Sequence, residues 1–155
     1  MTTRKNKKSN KTNKRFRKTR SKRQKGETPP SIEYMIDAIE QDEEEQVKHL
    51  LEMGADVNAM EPSNGNTPLI KASINRHTEI VAMLLEKGAD VNATDDNGDT
   101  ALMKVINCDE EDDRPWNQVE NDIIEIVEKL LNQDGIDVNV ENKNGKTALD
   151  IAEET

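Results

Sequence analysis

Large rings are almost missing from this chain, which has one Trp, one Tyr and one Phe in 155 residues. With only 32% hydrophobic content beside them, these residues are poor material for one thick globular core. The single cysteine, Cys108, excludes an internal disulfide and suits a reducing compartment. No stretch approaches the roughly 18 apolar residues of a membrane span, the longest apolar run being Ile80 to Leu85. The basic N-terminus has no apolar region behind it, as a secretory signal would need. From Thr2 to Pro30 only Phe16 is a large apolar residue, so an amphipathic presequence is not expected either. The two histidines, His49 and His77, stand at neither metal nor triad spacing, and there is no Gly-rich phosphate loop. The acidic run Asp109 to Asp113 lacks the Asp-x-Asp-x-Asp-Gly spacing of a calcium loop. Neither catalysis nor a cofactor is expected.

Charge is plentiful and unevenly placed. Residues 1–30 carry thirteen Lys and Arg against Glu27 alone, a net +12, and the remainder carries −22, so the overall −10 hides two opposite objects. Low hydrophobicity with charge of one sign cannot offset the entropy of folding, and 1–30 is expected to be a disordered basic tail ending at Pro29-Pro30. Its cluster from Lys14 to Lys25 suits nuclear import, or polyanion contact through residues 4–25, or screening of the acidic remainder. With Phe16 as its only ring the tail has no platform for stacking bases.

The remainder repeats itself. Asn64-Gly65 returns as Asn97-Gly98 after 33 residues and as Asn144-Gly145 after a further 47. Gly54-Ala55-Asp56-Val57-Asn58 returns as Gly88 to Asn92 and as Gly135-Ile136-Asp137-Val138-Asn139. Thr67-Pro68, Thr100-Ala101 and Thr147-Ala148 each present an N-cap hydroxyl at a helix start, with Pro68 suited to the first helical position. Leu69 and Ala72 mark the apolar side of a first helix, and Ile80, Val81, Leu84 and Leu85 that of a second, which Gly88 stops. One such unit cannot bury its own apolar face, so the units must stack.

A unit of about 33 residues with a turn, two helices, Thr-Pro-Leu and Leu-Leu-x-x-Gly-Ala-Asp-Val-Asn closely resembles the ankyrin repeat. The resemblance covers 31–155: a degenerate N-terminal repeat at 31–63, a full repeat at 64–96, a repeat at 97–143 with an insertion around 108–120, and a partial C-terminal repeat at 144–155. It implies an all-α ankyrin-repeat solenoid of helix-turn-helix units joined by β-turn loops. The family's His after Thr-Pro-Leu is replaced by Ile70, Met103 and Asp150, which is expected to loosen the bonding between turns. Arg76 and Gln41 occupy the corner between helices where the family favours Gly. His77 matches a histidine the family uses structurally.

The resemblance further implies a concave binding face built from turn tips and first-helix ends. It maps onto Met60, Glu61, Ser63, Asn66, Ile74 and Asn75, then Thr94, Asp96, Asp99 and Asn107, then Glu141, Lys143 and Lys146. Ile74 has no packing duty in the family pattern and is a candidate anchor. Trp116, in the acidic insertion, is a second, because tryptophan is enriched at binding hot spots. Acidic tips at Asp95, Asp96 and Asp99 suggest a basic partner. Asn58, Asn92 and Asn139 each follow a Leu by eight positions and an Asp by two, resembling sites of the asparaginyl hydroxylase that modifies ankyrin loops. The acidic run Asp42 to Glu45 is expected to cap a helix, and Leu149 and Ile151 to lie partly uncovered. The expected protein is a monomeric, intracellular, non-catalytic adaptor of cytoplasm or nucleus that binds a protein partner, with no membrane contact. The rival reading is a nucleic-acid-associated protein bound through the tail, its repeats regulatory.

Overall fold

A computed structural model describes residues 31–107 and 116–154. The basic tail, residues 1–30, the segment 108–115 with Cys108 and the acidic run, and Thr155 lie outside the described residues. The helices, in chain order, are α1 (Ile32–Glu40), α2 (Glu44–Glu52), α3 (Pro68–Ile74), α4 (Thr78–Glu86), α5 (Ala101–Ile106), α6 (Trp116–Leu131) and α7 (Ala148–Ala152). They form two rows. The first helices α1, α3, α5 and α7 each pack on the next, as do the second helices α2, α4 and α6, and the pairs α1–α2, α3–α4 and α5–α6 close the hairpins. This is an all-α solenoid; the one β feature among the described residues is an isolated antiparallel bridge between Thr94 and Thr100.

The helix starts follow from local chemistry. Each Thr hydroxyl accepts from the amide three residues on: Thr67 from Ile70 at 3.3 Å, Thr100 from Met103 at 3.4 Å and Thr147 from Asp150 at 3.3 Å. Asp150 answers with a carboxylate that accepts from the Thr147 amide at 2.8 Å, completing a capping box. The residue that replaces the family's histidine is therefore useful in each unit. Ile70 and Met103 are buried in the core, and Asp150 caps.

Two local expectations are corrected and a third is narrowed. The left-handed corner of the first hairpin is Asp42, with φ 54, not Gln41, which ends α1 at φ −91. A short carboxylate tolerates that region better than a long amide side chain. Arg76, with φ 59, is its counterpart in the second hairpin. Next, Glu43 at the start of α2 makes no side-chain cap bond, so Glu44 and Glu45 in the first turn act only through the helix dipole. Last, the insertion is not loop through residue 120. Helix α6 begins at Trp116 and runs 16 residues, against nine for α2 and α4, because Val119 extends the stripe of Ile123, Ile126 and Leu130 and no Gly or Pro interrupts it.

The core is one continuous seam. Met35, Leu69, Leu102 and Val105 from the inner row meet Val47, Leu50, Ile80, Val81, Leu84, Ile126 and Leu130 from the outer row. Leu69, Leu84 and Leu102 thus share one apolar cluster that runs across successive hairpins.

Candidate partner-binding face

The turns between units are built alike. In each, two backbone groups pair across a short loop: Glu61 N donates to Asn66 O at 2.8 Å, Asp95 N to Asp99 O at 3.0 Å and Asn142 N to Lys146 O at 2.9 Å. Neighbouring loops are then joined by main chain, Asp96 N donating to Asn64 O at 3.0 Å and Lys143 N to Asn97 O at 2.9 Å. These bonds need close approach. A Cβ on Gly65 would stand 2.6 Å from Asp96 Oδ1 and 2.8 Å from its backbone N, and one on Gly98 would stand 3.0 Å from Lys143 N. Both glycines also hold positive φ, 72 and 80, so they are required twice over. Asn64 is not left-handed; that turn rests on Gly65 alone.

On the opposite edge the loops ending the second helices are linked by asparagine. Asn58 Oδ1 accepts from Asp90 N at 2.8 Å and its amide donates to Gly88 O at 3.4 Å. Asn92 repeats the pattern with Asp137 N and Gly135 O, both at 2.8 Å. Asp56, Asp90 and Asp137 each accept from the backbone amide of the Asn two residues on, which is the physical reason for the Asp-x-Asn spacing. Asn139, in the last loop, is exposed.

The acidic tips are mostly spoken for. Asp95 is 7% exposed, and Lys104 Nζ lies 2.9 Å from Asp95 Oδ2 and 2.7 Å from Asp99 Oδ2. Asp95 Oδ1 also accepts from the amides of Asn97 and Asp99 at 2.8 and 2.9 Å, and Asp99 Oδ1 accepts from Asn142 Nδ2 at 2.7 Å. Burial alone would raise the Asp95 carboxyl, but the Lys104 ammonium and those two amides outweigh it and hold it below the usual aspartate range. Burial likewise works to lower Lys104, and its bonds to Asp99 and Asp95 outweigh that and raise it. The expectation of three free carboxylates is corrected on this ground: Asp96 stays exposed, while Asp95 and Asp99 share the one ammonium of Lys104 inside the chain, which leaves the cluster a net charge of −1.

The other expected contacts fall into two groups. Met60, Ser63, Ile74, Asn107, Glu141 and Lys143 are exposed; Met60 shows 53% and Ile74 36% of its surface. Glu61, Asn75, Thr94 and Lys146 are half-buried: Asn75 ends α3, Thr94 forms the bridge to Thr100, and Lys146 pairs with Glu154. Asn66 is 7% exposed and takes its place inside the turn, its backbone N–H donating to Asn64 Oδ1 at 2.9 Å. Trp116 is the first residue of α6. Sequence reasoning missed Lys104 as the clamp of the tip and Tyr34, 47% exposed on α1. The recurrence of Lys71 as Lys104 was the available signal for the first. Lys71 Nζ lies 2.6 Å from Glu40 Oε1 on the preceding first helix, so both lysines serve internal pairs. Among the described residues no group of three or more His, Cys, Asp or Glu is arranged to hold a metal, and no helix is long and apolar enough to cross a membrane.

A family model for ankyrin repeats, in three copies, matches residues 35–113. The chain belongs to the ankyrin-repeat family. Among solved structures, it is similar to the crystal structure of the ankyrin repeat domain of Bcl-3, described there as a unique member of the IkappaB protein family. The two share 30% identity and a TM-score of 0.63 over 76% of this chain and 46% of that one. This ankyrin chain thus spans under half the length of that relative. No curated protein matches it. Ankyrin repeats are protein-protein interaction modules.

Proposed function

We propose that this ankyrin module is a non-catalytic adaptor that holds a protein partner on its turn tips and first-helix ends, with Met60 and Ile74 as apolar anchors and Asp96 as the free carboxylate. The observation that carries this is the exposure of Met60 and Ile74 beside turns whose backbone groups are bonded within and between neighbouring loops. Rigid loops lose little entropy on binding, so affinity rests on a few anchors rather than on area. Ser63, Asn107, Lys143 and Glu141 form the polar surroundings; Glu61, Asn75, Thr94, Asp99, Asn66 and Lys146 support them from within. With Asp95 and Asp99 held by Lys104 inside the chain, Asp96 is the carboxylate at this turn most free to meet a basic partner. Capture from lysate with the full chain and with Ile74→Asp and Asp96→Lys tests the face. Proteins held by the wild type and lost from both variants support it, and an identical set on all three overturns it.

The tail's net +12 favours a second role for residues 4–25, nuclear targeting or polyanion contact, and with it a place in nucleus or cytoplasm. Replacing the basic residues 14–25 by Gln in the full chain should abolish RNA or DNA binding and its steep salt dependence if the contact is genuine. Hydroxylation of Asn58, Asn92 or Asn139 remains a proposal from the family resemblance. Asn58 and Asn92 already bridge to the next loop, which leaves Asn139 the most available. Added oxygen located by peptide mass on the protein from cells would test it.

A further inference from the structure

The repeats serve as their own controls, because the same position can be compared from one unit to the next. Leu69 is 1% exposed and Leu102 6%, but Leu149, the third in the series, is 66% exposed. Val91 is 8% exposed and Val138 45%. Val47 and Val81 are fully buried, while their counterpart Val127 is only half-buried. Leu51 and Leu85 are half-buried and Leu131 is 47% exposed. Every one of these changes falls on the same side of the stack. Ile124, Val127, Glu128 and Leu131 form one stripe of α6, the counterpart of the Thr78, Val81, Ala82 and Leu85 stripe of α4, and α4 packs directly on α6. The last side is therefore a socket with the shape of an ordinary seam and, among the described residues, no element in it.

The preceding seams show what such a socket takes: a helix that lies along α6 and inserts aliphatic side chains at i, i+3 and i+4. Charge decides which helix. Residues 124–154 hold eight carboxylates and three lysines, and two of those lysines are already paired, Lys129 with Glu125 and Lys146 with Glu154. A second copy would meet this rim with another acidic surface in either orientation, since the opposite end, residues 31–53, carries eight carboxylates against Lys48. The chain's own tail has the right sign but only Phe16 to fill an apolar socket. We propose that the end face of Ile124, Val127, Leu131, Val138 and Leu149 receives an amphipathic helix of a partner protein, aliphatic on one side and flanked by Lys or Arg. Burial of four or five uncovered aliphatic groups supplies the attraction, and the acidic rim selects the sign of the flanks.

Two synthetic helical peptides of about 18 residues, long enough to hold a helix, serve as probes. Both carry Leu and Ile along one face; one is flanked by Lys and the other by Glu. Fluorescence anisotropy with the full chain should show the Lys-flanked peptide bound about tenfold or more tightly than the other. Leu131→Asp and Leu149→Asp should each weaken it by about tenfold, as for loss of a central anchor. Both leucines are exposed, so the fold is retained, and circular dichroism checks it. Ile74→Asp should leave this binding unchanged, which separates the end face from the turn-tip face proposed above. Equal affinity for both peptides, indifference to Leu131 and Leu149, or loss of binding in Ile74→Asp would overturn the proposal. So would a wild-type dimer in sedimentation that Leu149→Asp dissolves, since a second copy would then fill the socket.

Discussion

Asp95 shows how one side chain can be legible in kind and illegible in role. Its position beside Asn97-Gly98 marks a turn tip, but that Lys104 closes over it depends on a helix folding back five to nine residues later. Removing it, as in Asp95→Ala, leaves Lys104 short of a partner and two backbone amides unbonded, a loss of about 1.5–3 kcal/mol. The folded carboxyl titrates below its unfolded value of about 3.9, so its contribution is present above that pH and disappears as pH falls through the lowered folded value. Lys104 behaves oppositely. Raised above about 10.4, it contributes fully below that pH and loses its contribution as pH rises through the folded value. Urea midpoints should therefore separate wild type from Asp95→Ala by a constant amount between about pH 5 and 9 and draw together only as pH falls through the lowered folded value; a gap that does not narrow on acidification would contradict the pairing. Asn92 and Asn139 make a second residue-scale test, alike in their Asp-Val-Asn sequence yet different in what they touch. Asn92→Ala should cost about 1 kcal/mol by urea unfolding and Asn139→Ala close to none, because only Asn92 bonds to a following loop.

At the scale of single elements, turns were the most legible part of the chain. Glycine-for-turn and threonine-for-cap are local rules, and Gly65, Gly98, Thr67, Thr100 and Thr147 all obey them. What local rules could not supply was the exact corner between α1 and α2, where Gln41 and Asp42 compete and only backbone geometry chooses. Nor could they supply the start of α6, whose added turns depend on Val119 finding cover. Gly98 and Gly145 separate conformation from crowding. Both have positive φ, but a Cβ on Gly98 meets Asn142 and Lys143 backbone, while one on Gly145 meets nothing within 4 Å. Gly145→Ala should then cost about 1 kcal/mol for the strained backbone. Gly98→Ala should cost distinctly more, with loss of amide exchange protection at Lys143; equal thermal shifts for the two would show that the loops have room to part.

For the whole molecule, stability is shared along the stack rather than held at one centre. Leu84 sits in the middle of the seam with no exposed surface, and Leu84→Ala should cost about 2–5 kcal/mol in denaturant unfolding. Hydrogen exchange should be fastest in α7, which has a neighbour on one side only, and slowest in α3 and α4; uniform exchange would mean that the end unit is covered in solution. The stacking order itself was readable because the 33-residue period survives in Leu69 and Leu102 and in Gly65 and Gly98. The exposure of the end face was not, because sequence shows the same aliphatic letters whether or not anything lies over them. The two rungs of main-chain bonding, Asp96 to Asn64 and Lys143 to Asn97, carry a mechanical consequence. Hydrogen bonds stretch little before they break, so the turn-tip edge behaves as an inextensible hem. Any flexing as something is grasped must then be taken up by helices sliding over one another behind it, and the spacing between neighbouring tips stays fixed like the pitch of teeth on a comb.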